Sequence, residues 1–134
     1  MNEILKTLTI QSNPKNVSRV EPFVDQLIQR FDISPDMYGN ILISLTEAVN
    51  NAIIHGNSED ESKCVSIKTL KKTNNLAIQI SDEGGGFDFQ NLPDPTSPEN
   101  LLKIGGRGVF LMKQLAHQVN FINNGSTVEI EFKL

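Results

Sequence analysis

The sequence lacks several features that mark common protein classes. Cys64 is the only cysteine among 134 residues, so we expect neither a disulfide framework nor a cysteine-based metal site. There is no tryptophan, and aromatic residues make up only 6% of the chain. No apolar run approaches the roughly 20 residues that a membrane-spanning helix needs, and the first ten residues do not resemble a signal peptide.

An excess of positive charge is also missing. Twelve Lys and Arg residues against 16 Asp and Glu residues leave a formal net charge of −4. Such a chain has no basic surface for nucleic acid or anionic lipid, so we expect no direct partner of either kind. The length suits one domain with its own core, and we expect a single cytoplasmic domain over residues 1–134.

Hydrophobic periodicity predicts a two-layer α/β sandwich with a largely antiparallel sheet. Strands are predicted at Leu5–Ile10, Val65–Leu70 and Leu76–Ser81, and in a closing hairpin that turns at Asn124-Gly125. Helices are predicted after Asn13-Pro14, between Ser34 and Gly56, and from Gly108 to about His117, with a brief helical piece at Ser97–Glu99.

Pro22 interrupts the apolar pattern of the first helix. Asn13 is a possible N-cap, and Pro14 would occupy the first helical position. Either Pro22 kinks a helix that begins there, or the helix nucleates later with Ser18 and Glu21 as a capping box.

The second helix carries polar residues that could support chemistry. Glu47, Asn51 and His55 are spaced by four residues and share one helix face. The opposite side would pack on the sheet through Ile41, Leu45, Ala48 and Ala52. A carboxylate one turn from a carboxamide suits general-base work beside Mg²⁺, although by spacing alone a solvated polar face is the commoner explanation.

Two glycine-rich motifs follow. S-D-E-G-G-G-F-D begins at Ser81, directly after a strand, where Asp82 could accept a hydrogen bond from a ligand amine; a plain turn is the alternative. G-G-R-G-V-F-L-M-K begins at Gly105 and opens a helix, whose free N–H groups suit an anion. Arg107 either adds charge there or points to solvent.

Together these motifs resemble the ATPase superfamily that includes gyrase, the Hsp90 chaperone, histidine kinases and the mismatch-repair protein MutL. That family has an asparagine-bearing helix, an Asp-x-Gly-x-Gly box, a lid and a second glycine box. The matching segments are Glu47 with Asn51, Asp82–Gly86, a lid at about 87–105, Gly106–Gly108, and Gly125–Thr127 as an approximate Gly-Thr pair. The resemblance implies an α+β, Bergerat-type, histidine-kinase-like ATPase fold, with a mostly antiparallel mixed sheet and helices on one face.

The resemblance also implies roles for individual residues. Glu47 would be the general base, Asn51 would coordinate Mg²⁺, and Asp82 would receive the adenine amino group. Thr127 would lie near the adenine, and His55 would either touch phosphate or cap the last helical turn. The remaining implied nucleotide contacts are Gly84, Gly86, Phe87, Gly106, Arg107, Gly108 and Val109.

Within the superfamily, E-A-V-N-N-A-I-I-H-G-N and G-R-G-V-F-L-M resemble the anti-sigma-factor serine kinases. Those proteins bind a sigma factor and use ATP to phosphorylate a serine on an antagonist protein. The resemblance implies the same activity here, with Mg²⁺, with Arg19 as a partner contact or a plain surface residue, and with a homodimer formed through the first strand.

Other functions stay open. A regulatory module could bind nucleotide and sequester a partner without catalysis, but it would not need Glu47. The ATP-binding half of a histidine kinase needs a phosphoacceptor histidine on a helical hairpin, whereas His55 and His117 lie in predicted domain helices. A gyrase-like ATPase would need a downstream domain.

Overall fold

Strands form where apolar residues alternate with polar ones, and helices form where apolar residues recur every three or four positions. The computed structural model describes residues 3–84 and 106–134. The strands are β1 (Glu3–Gln11), β2 (Cys64–Lys71), β3 (Asn75–Ser81), β4 (Gln118–Ile122) and β5 (Thr127–Lys133). The α-helices are α1 (Val20–Arg30), α2 (Tyr38–Asn51) and α3 (Gly106–Leu115). Short 3₁₀ turns occupy Pro14–Arg19, Pro35–Met37 and Asn123–Gly125, and a π turn at Ala52–Gly56 extends α2.

The strands pair in the order β1-β2-β3-β5-β4, and each pair is antiparallel. This confirms the predicted two-layer α+β architecture, and it places β1 at one edge of the sheet. The expectation of a mixed sheet is wrong for the described strands, since no parallel pair occurs among them. The strand β3 is central, and its antiparallel register with β5 places its last residue, Ser81, opposite Thr127 at the start of β5.

The first helical region decides between the two alternatives for Pro22. The Asn13 side chain accepts a hydrogen bond from the Lys15 N–H at 2.9 Å and begins a 3₁₀ turn. The α-helix starts only at Val20, so Pro22 lies in its first turn, where a missing N–H costs no helical hydrogen bond. Late nucleation is therefore correct. The capping box is wrong, because the Ser18 hydroxyl donates to the Lys15 carbonyl and α1 has no side-chain cap.

The third helix is displaced from its predicted bounds. It begins at Gly106 rather than Gly108 and ends at Leu115. The prediction that His117 is helical is wrong, because its N–H donates to the Glu131 carbonyl at 2.8 Å as the chain enters the β4–β5 pairing. The predicted lid at about 87–105, the helical piece at Ser97–Glu99, Gly86 and Phe87 lie outside the described residues.

One hydrophobic cluster joins the helices to the sheet. The four residues predicted to pack behind Glu47 are all buried: Ile41, Leu45, Ala48 and Ala52. They meet side chains from α1, α3 and the strands, among them Leu27, Val109, Met112, Ile67, Ile78 and Ile130. All three helices therefore pack on one face of the sheet. No helix in the described part of the chain has the length and apolar character to cross a membrane.

The other face of the sheet carries two buried carboxylates that share one lysine. The Lys72 Nζ lies 3.1 Å from Oε1 of Glu129 and 2.6 Å from Oε1 of Glu131. The Gln79 amide donates to the second Glu129 oxygen at 2.7 Å. Burial opposes ionisation of Glu129, but the hydrogen bonds from Gln79 and Lys72 outweigh it and hold the Glu129 pKa below its ordinary value. Hydrogen bonds to Glu131 and Glu129 raise the pKa of Lys72.

Replacing the shared lysine should therefore destabilise the protein in a pH-dependent way. We expect Lys72→Met to lower the free energy of unfolding by about 1–3 kcal/mol at neutral pH, because two buried carboxylates lose their cation. The contribution of Glu129 is present above its unfolded pKa and is lost as pH falls through its lowered folded pKa. Urea unfolding at neutral pH and at about pH 3 should therefore show a loss that shrinks in acid.

Lys71→Met is the matched control, since Lys71 is the exposed neighbour of Lys72. It should change stability by less than about 0.5 kcal/mol. Equal losses in the two lysine variants, or a Lys72→Met loss that does not depend on pH, would contradict a structural role for this cluster.

Candidate functional site

The end of the second helix packs directly against the loop after β3. In the π turn the Asn57 N–H donates to the Ala52 carbonyl, five residues back, at 2.9 Å. Turns of this kind are frequent at functional sites. A Cβ on Gly56 would lie 2.3 Å from Oδ2 of Asp82, and one on Gly84 would lie 1.8 Å from the Gly56 carbonyl oxygen. A side chain at position 84 would collide with backbone, whereas one at position 56 would have to push the Asp82 carboxylate aside.

Asp82 lies at the centre of this contact. Its N–H donates to the Ser126 carbonyl at 2.9 Å, and its Oδ1 accepts from the Gly84 N–H at 2.8 Å. Within the described residues Oδ2 accepts no hydrogen bond. Burial raises the pKa of Asp82, and the Gly84 N–H and the charge of Lys63 offset this only in part.

A small cavity opens beside Asp82, between α2, α3 and the β4–β5 hairpin. It is lined by Ala48, Asn51, Ile80, Asp82, Met112, Phe121, Gly125, Ser126 and Val128. Its volume is only about 20 Å³, so it would have to widen to admit a ring; its lining is mostly apolar and includes one carboxylate and one carboxamide. Thr127 is buried between two of the lining residues, and its Oγ1 lies 2.9 Å from the Ser81 hydroxyl.

The first turn of α3 closes against the polar face of α2. A Cβ on Gly108 would lie 2.8 Å from Oε2 of Glu47 and 3.2 Å from Nδ2 of Asn51. A carboxylate, a carboxamide and a helix N-terminus therefore meet at one place. The free N–H groups and the dipole of a helix N-terminus favour an anion there.

Other residues named from the sequence lie in different surroundings. His55 is exposed on the π turn, and its side chain makes no hydrogen bond or ion pair with the described residues. Arg19 is exposed, directly before α1. The Val109 side chain is 3% exposed and belongs to the core, so only its backbone could contact a nucleotide. Gly106 and Arg107 form the first residues of α3.

The site fits a magnesium ion that arrives with a nucleotide. The described residues contain no cluster of three His, Cys, Asp or Glu side chains that could hold a metal by themselves. Mg²⁺ in nucleotide sites takes one or two protein oxygens and completes its shell with phosphates and water. The half-buried carboxamide of Asn51, beside the Glu47 carboxylate, provides such oxygens.

Sequence reasoning missed Asn57, which is 1% exposed. Its Nδ2 donates to the Ser12 hydroxyl at 2.7 Å and to the Cys64 carbonyl at 3.0 Å, and its Oδ1 accepts from the Glu83 N–H at 2.7 Å. The only available signal was a polar residue directly after the glycine that ends a helix. Burial at such a position follows no periodicity.

A second groove lies at the far ends of β2 and β3, away from Asp82. It is lined chiefly by apolar side chains and turn residues, including Leu5, Phe31, Met37, Asn74 and Leu134. None of the residues named as site candidates lines this groove.

Comparisons with known proteins identify the family to which this chain is related. A model of the histidine kinase-like ATPase domain matches residues 10–132. The serine-protein kinase RsbW of Bacillus subtilis is 29% identical over 128 residues, which cover 90% of this chain and 80% of that protein. The anti-sigma F factor of Anoxybacillus flavithermus is 30% identical over 136 residues, covering 96% and 90%. That of Geobacillus stearothermophilus is 29% identical over 137 residues, covering 97% and 91%.

The close approach at Gly56 leads to a prediction about stability. We expect Gly56→Ala to cost about 1–3 kcal/mol of unfolding free energy, since the new methyl group must displace the Asp82 carboxylate. Gly39→Ala is the control: it lies in the same helix, nothing lies within 4 Å of its Cβ, and it should gain up to about 1 kcal/mol. Denaturant unfolding checks both, and a neutral Gly56→Ala would contradict the packing described.

Asp82 should lower stability in the absence of ligand. A raised folded pKa means that its stabilising contribution is present below the unfolded pKa and is lost as pH rises through the folded pKa. Asp82→Asn keeps the acceptor for the Gly84 N–H without the charge, so its unfolding midpoint at neutral pH should exceed that of the parent. The difference should vanish below about pH 3. A lower midpoint for Asp82→Asn at neutral pH would show that burial does not oppose this charge.

Proposed function

Because the chain belongs to the histidine kinase-like ATPase domain family, we propose that it is an ATP-dependent protein serine kinase and anti-sigma factor. It binds a sigma factor, and it phosphorylates a serine on an antagonist protein. This phosphorylation controls which of the two partners the protein binds. The names of its relatives support this proposal, since they are a serine-protein kinase and two anti-sigma F factors. The match over residues 10–132 supports one such domain along the whole chain.

One observation supports the proposal best: two kinds of chemistry meet at Asn51. On one side Asn51 lines the cavity that contains Asp82, and on the other its Nδ2 lies beside Gly108 together with the Glu47 carboxylate. A nucleotide with its ring in the cavity would therefore direct its phosphates toward the first turn of α3 and toward Glu47. Oδ2 of Asp82 would accept the adenine amino group.

The reaction follows from these positions. Glu47 takes the proton from the acceptor serine hydroxyl as the serine oxygen forms its bond to the γ-phosphorus. The bond between the γ-phosphorus and its bridging oxygen breaks, and ADP leaves with that oxygen. The N–H groups at the start of α3, from Gly106 onward, stabilise the negative charge on the transferring group.

Mg²⁺ would be held by the Asn51 carboxamide oxygen together with the ATP phosphates. It would neutralise phosphate charge and hold the phosphate chain in one conformation. Asn51→Ala should therefore weaken binding of the Mg²⁺ complex more than that of free ATP.

The remaining assignments extend the proposal to partners. The free edge of β1 supports a homodimer formed through this strand, since an unpaired edge can add another strand. The exposed position of Arg19 supports a protein contact. ATP, sigma factors and their antagonists are cytoplasmic, so we place the protein there as well.

Glu47→Gln is the direct test of the chemistry. We expect transfer from γ-labelled ATP to the serine of the antagonist to fall by about 10²–10⁴-fold, because the amide cannot accept the proton. The Kd for ATP should change by less than about threefold, since Glu47 contacts the serine rather than the adenine. Phosphoserine formation and ATP binding are measured on the same preparations.

Glu21→Gln is the matched control, an exposed glutamate on α1 that should keep full transfer. Normal transfer by Glu47→Gln would show that Glu47 is not the base. ATP binding without any serine labelling by the parent protein would favour a non-catalytic module that binds nucleotide and sequesters its partner.

A further inference from the structure

The buried carboxamide of Asn57 joins three separate parts of the chain. Its two donors serve Ser12, directly after β1, and Cys64, the first residue of β2. Its acceptor oxygen holds the N–H of Glu83, the residue that follows Asp82. Ser12 is itself held, because its hydroxyl donates to the Lys63 carbonyl at 2.8 Å. The polar network is fully buried at Asn57 and is satisfied on every side.

Among the described residues, hydrogen bonds rather than side-chain packing hold the loop that carries Asp82: the Asp82 N–H donates to the Ser126 carbonyl, and the next N–H, that of Glu83, donates to Asn57. Gly56 and Gly84 touch through backbone atoms and contribute no side chains to packing. The Glu83 side chain is exposed, and its carboxylate reaches the Cys64 N–H. The Glu83 backbone N–H, however, is directed to Asn57, so this hydrogen bond fixes the peptide next to Asp82.

The geometry points to Asn57 as a positioning residue that aligns Asp82 with the nucleotide base and so sets the preference for adenine. This inference rests on the proposed role of Asp82 as the acceptor of the adenine amino group. Selectivity requires that Oδ2 be held in place, while Oδ1 stays bound to the Gly84 N–H. Asn57 supplies that restraint without touching the nucleotide.

The ratio of the Kd values for ATP and ITP shows whether Asn57 positions Asp82 or only stabilises the fold. ITP carries a carbonyl oxygen where ATP carries its amino group, so a fixed carboxylate favours ATP and opposes ITP. In Asn57→Leu we expect the Kd for ATP to rise by about tenfold or more and that for ITP by less than threefold, which lowers the discrimination. Phosphoryl transfer at saturating ATP should stay within about threefold, because Glu47 and α3 are untouched.

Two control variants account for general destabilisation. Val24→Ala removes buried volume from α1, far along the chain from the loop, and should lower stability without changing the ATP to ITP ratio. Ser12→Ala removes one arm of the network but leaves the contact between Asn57 and the Glu83 N–H, and it should also keep the ratio. If Asn57→Leu does not fold, Asn57→Ser, which is too short to reach Glu83, should show the same loss of discrimination.

Amide exchange gives an independent measurement without nucleotide. The Glu83 N–H should exchange at least about tenfold faster in Asn57→Leu, measured relative to the β3 amides, and should keep its protection in Val24→Ala. Unchanged discrimination together with unchanged Glu83 exchange would overturn the inference.

Asp82→Asn distinguishes this inference from the proposed function. In this variant Oδ1 still accepts the Gly84 N–H, so an NH₂ group takes the place of Oδ2. That donor would face the donor amine of adenine. The preference for ATP over ITP, measured as the ratio of the two Kd values, should therefore fall by about ten- to a hundredfold. If Asp82→Asn keeps the preference, the assignment of Asp82 is wrong. If Asp82→Asn loses the preference and Asn57→Leu keeps it, only the role of Asn57 is wrong.

Discussion

The contact between Gly56 and the loop after β3 is the constraint on which the site depends. A methyl group at Gly56 would overlap Oδ2 of Asp82, and one at Gly84 would overlap the Gly56 carbonyl oxygen. Backbone must therefore meet backbone, and hydrogen bonds must hold the loop where side-chain packing cannot. The π turn at the end of α2 and the buried Asn57 both serve this contact, since one presents Gly56 and the other holds Glu83.

The molecule treats its buried charges in two different ways. On the open face of the sheet, Glu129 has hydrogen bonds from both Gln79 and Lys72, which together hold its pKa down despite burial. At the site, Asp82 receives one backbone hydrogen bond, and burial raises its pKa. The first arrangement stabilises the sheet, whereas the second leaves one carboxylate oxygen without a hydrogen bond from the described residues. Such local loss of stability is common where a ligand must complete the hydrogen bonds.

Under the proposed function, the groups that recognise the base and the groups that perform the transfer lie on opposite sides of Asn51. Asp82 and the cavity lie on one side of Asn51, while Glu47 and the first turn of α3 lie on the other. A single helix, α2, carries both Asn51 and Glu47. One rigid element would therefore position both the base and the phosphates of a bound nucleotide. Under the proposed function, this arrangement would allow the general base and the adenine acceptor to be altered independently.

Hydrophobic periodicity and glycine spacing are local properties, so they were enough to predict the elements, the order of the motifs and the face shared by Glu47 and Asn51. They left Pro22 open and misplaced His117, whose N–H pairs with the distant Glu131 carbonyl. The burial of Asn57 depends on the folded chain, because its partners lie 45, 7 and 26 residues away along the sequence. A hydrogen-bond network across three segments has no repeating pattern in sequence, because its members are chosen by proximity in space.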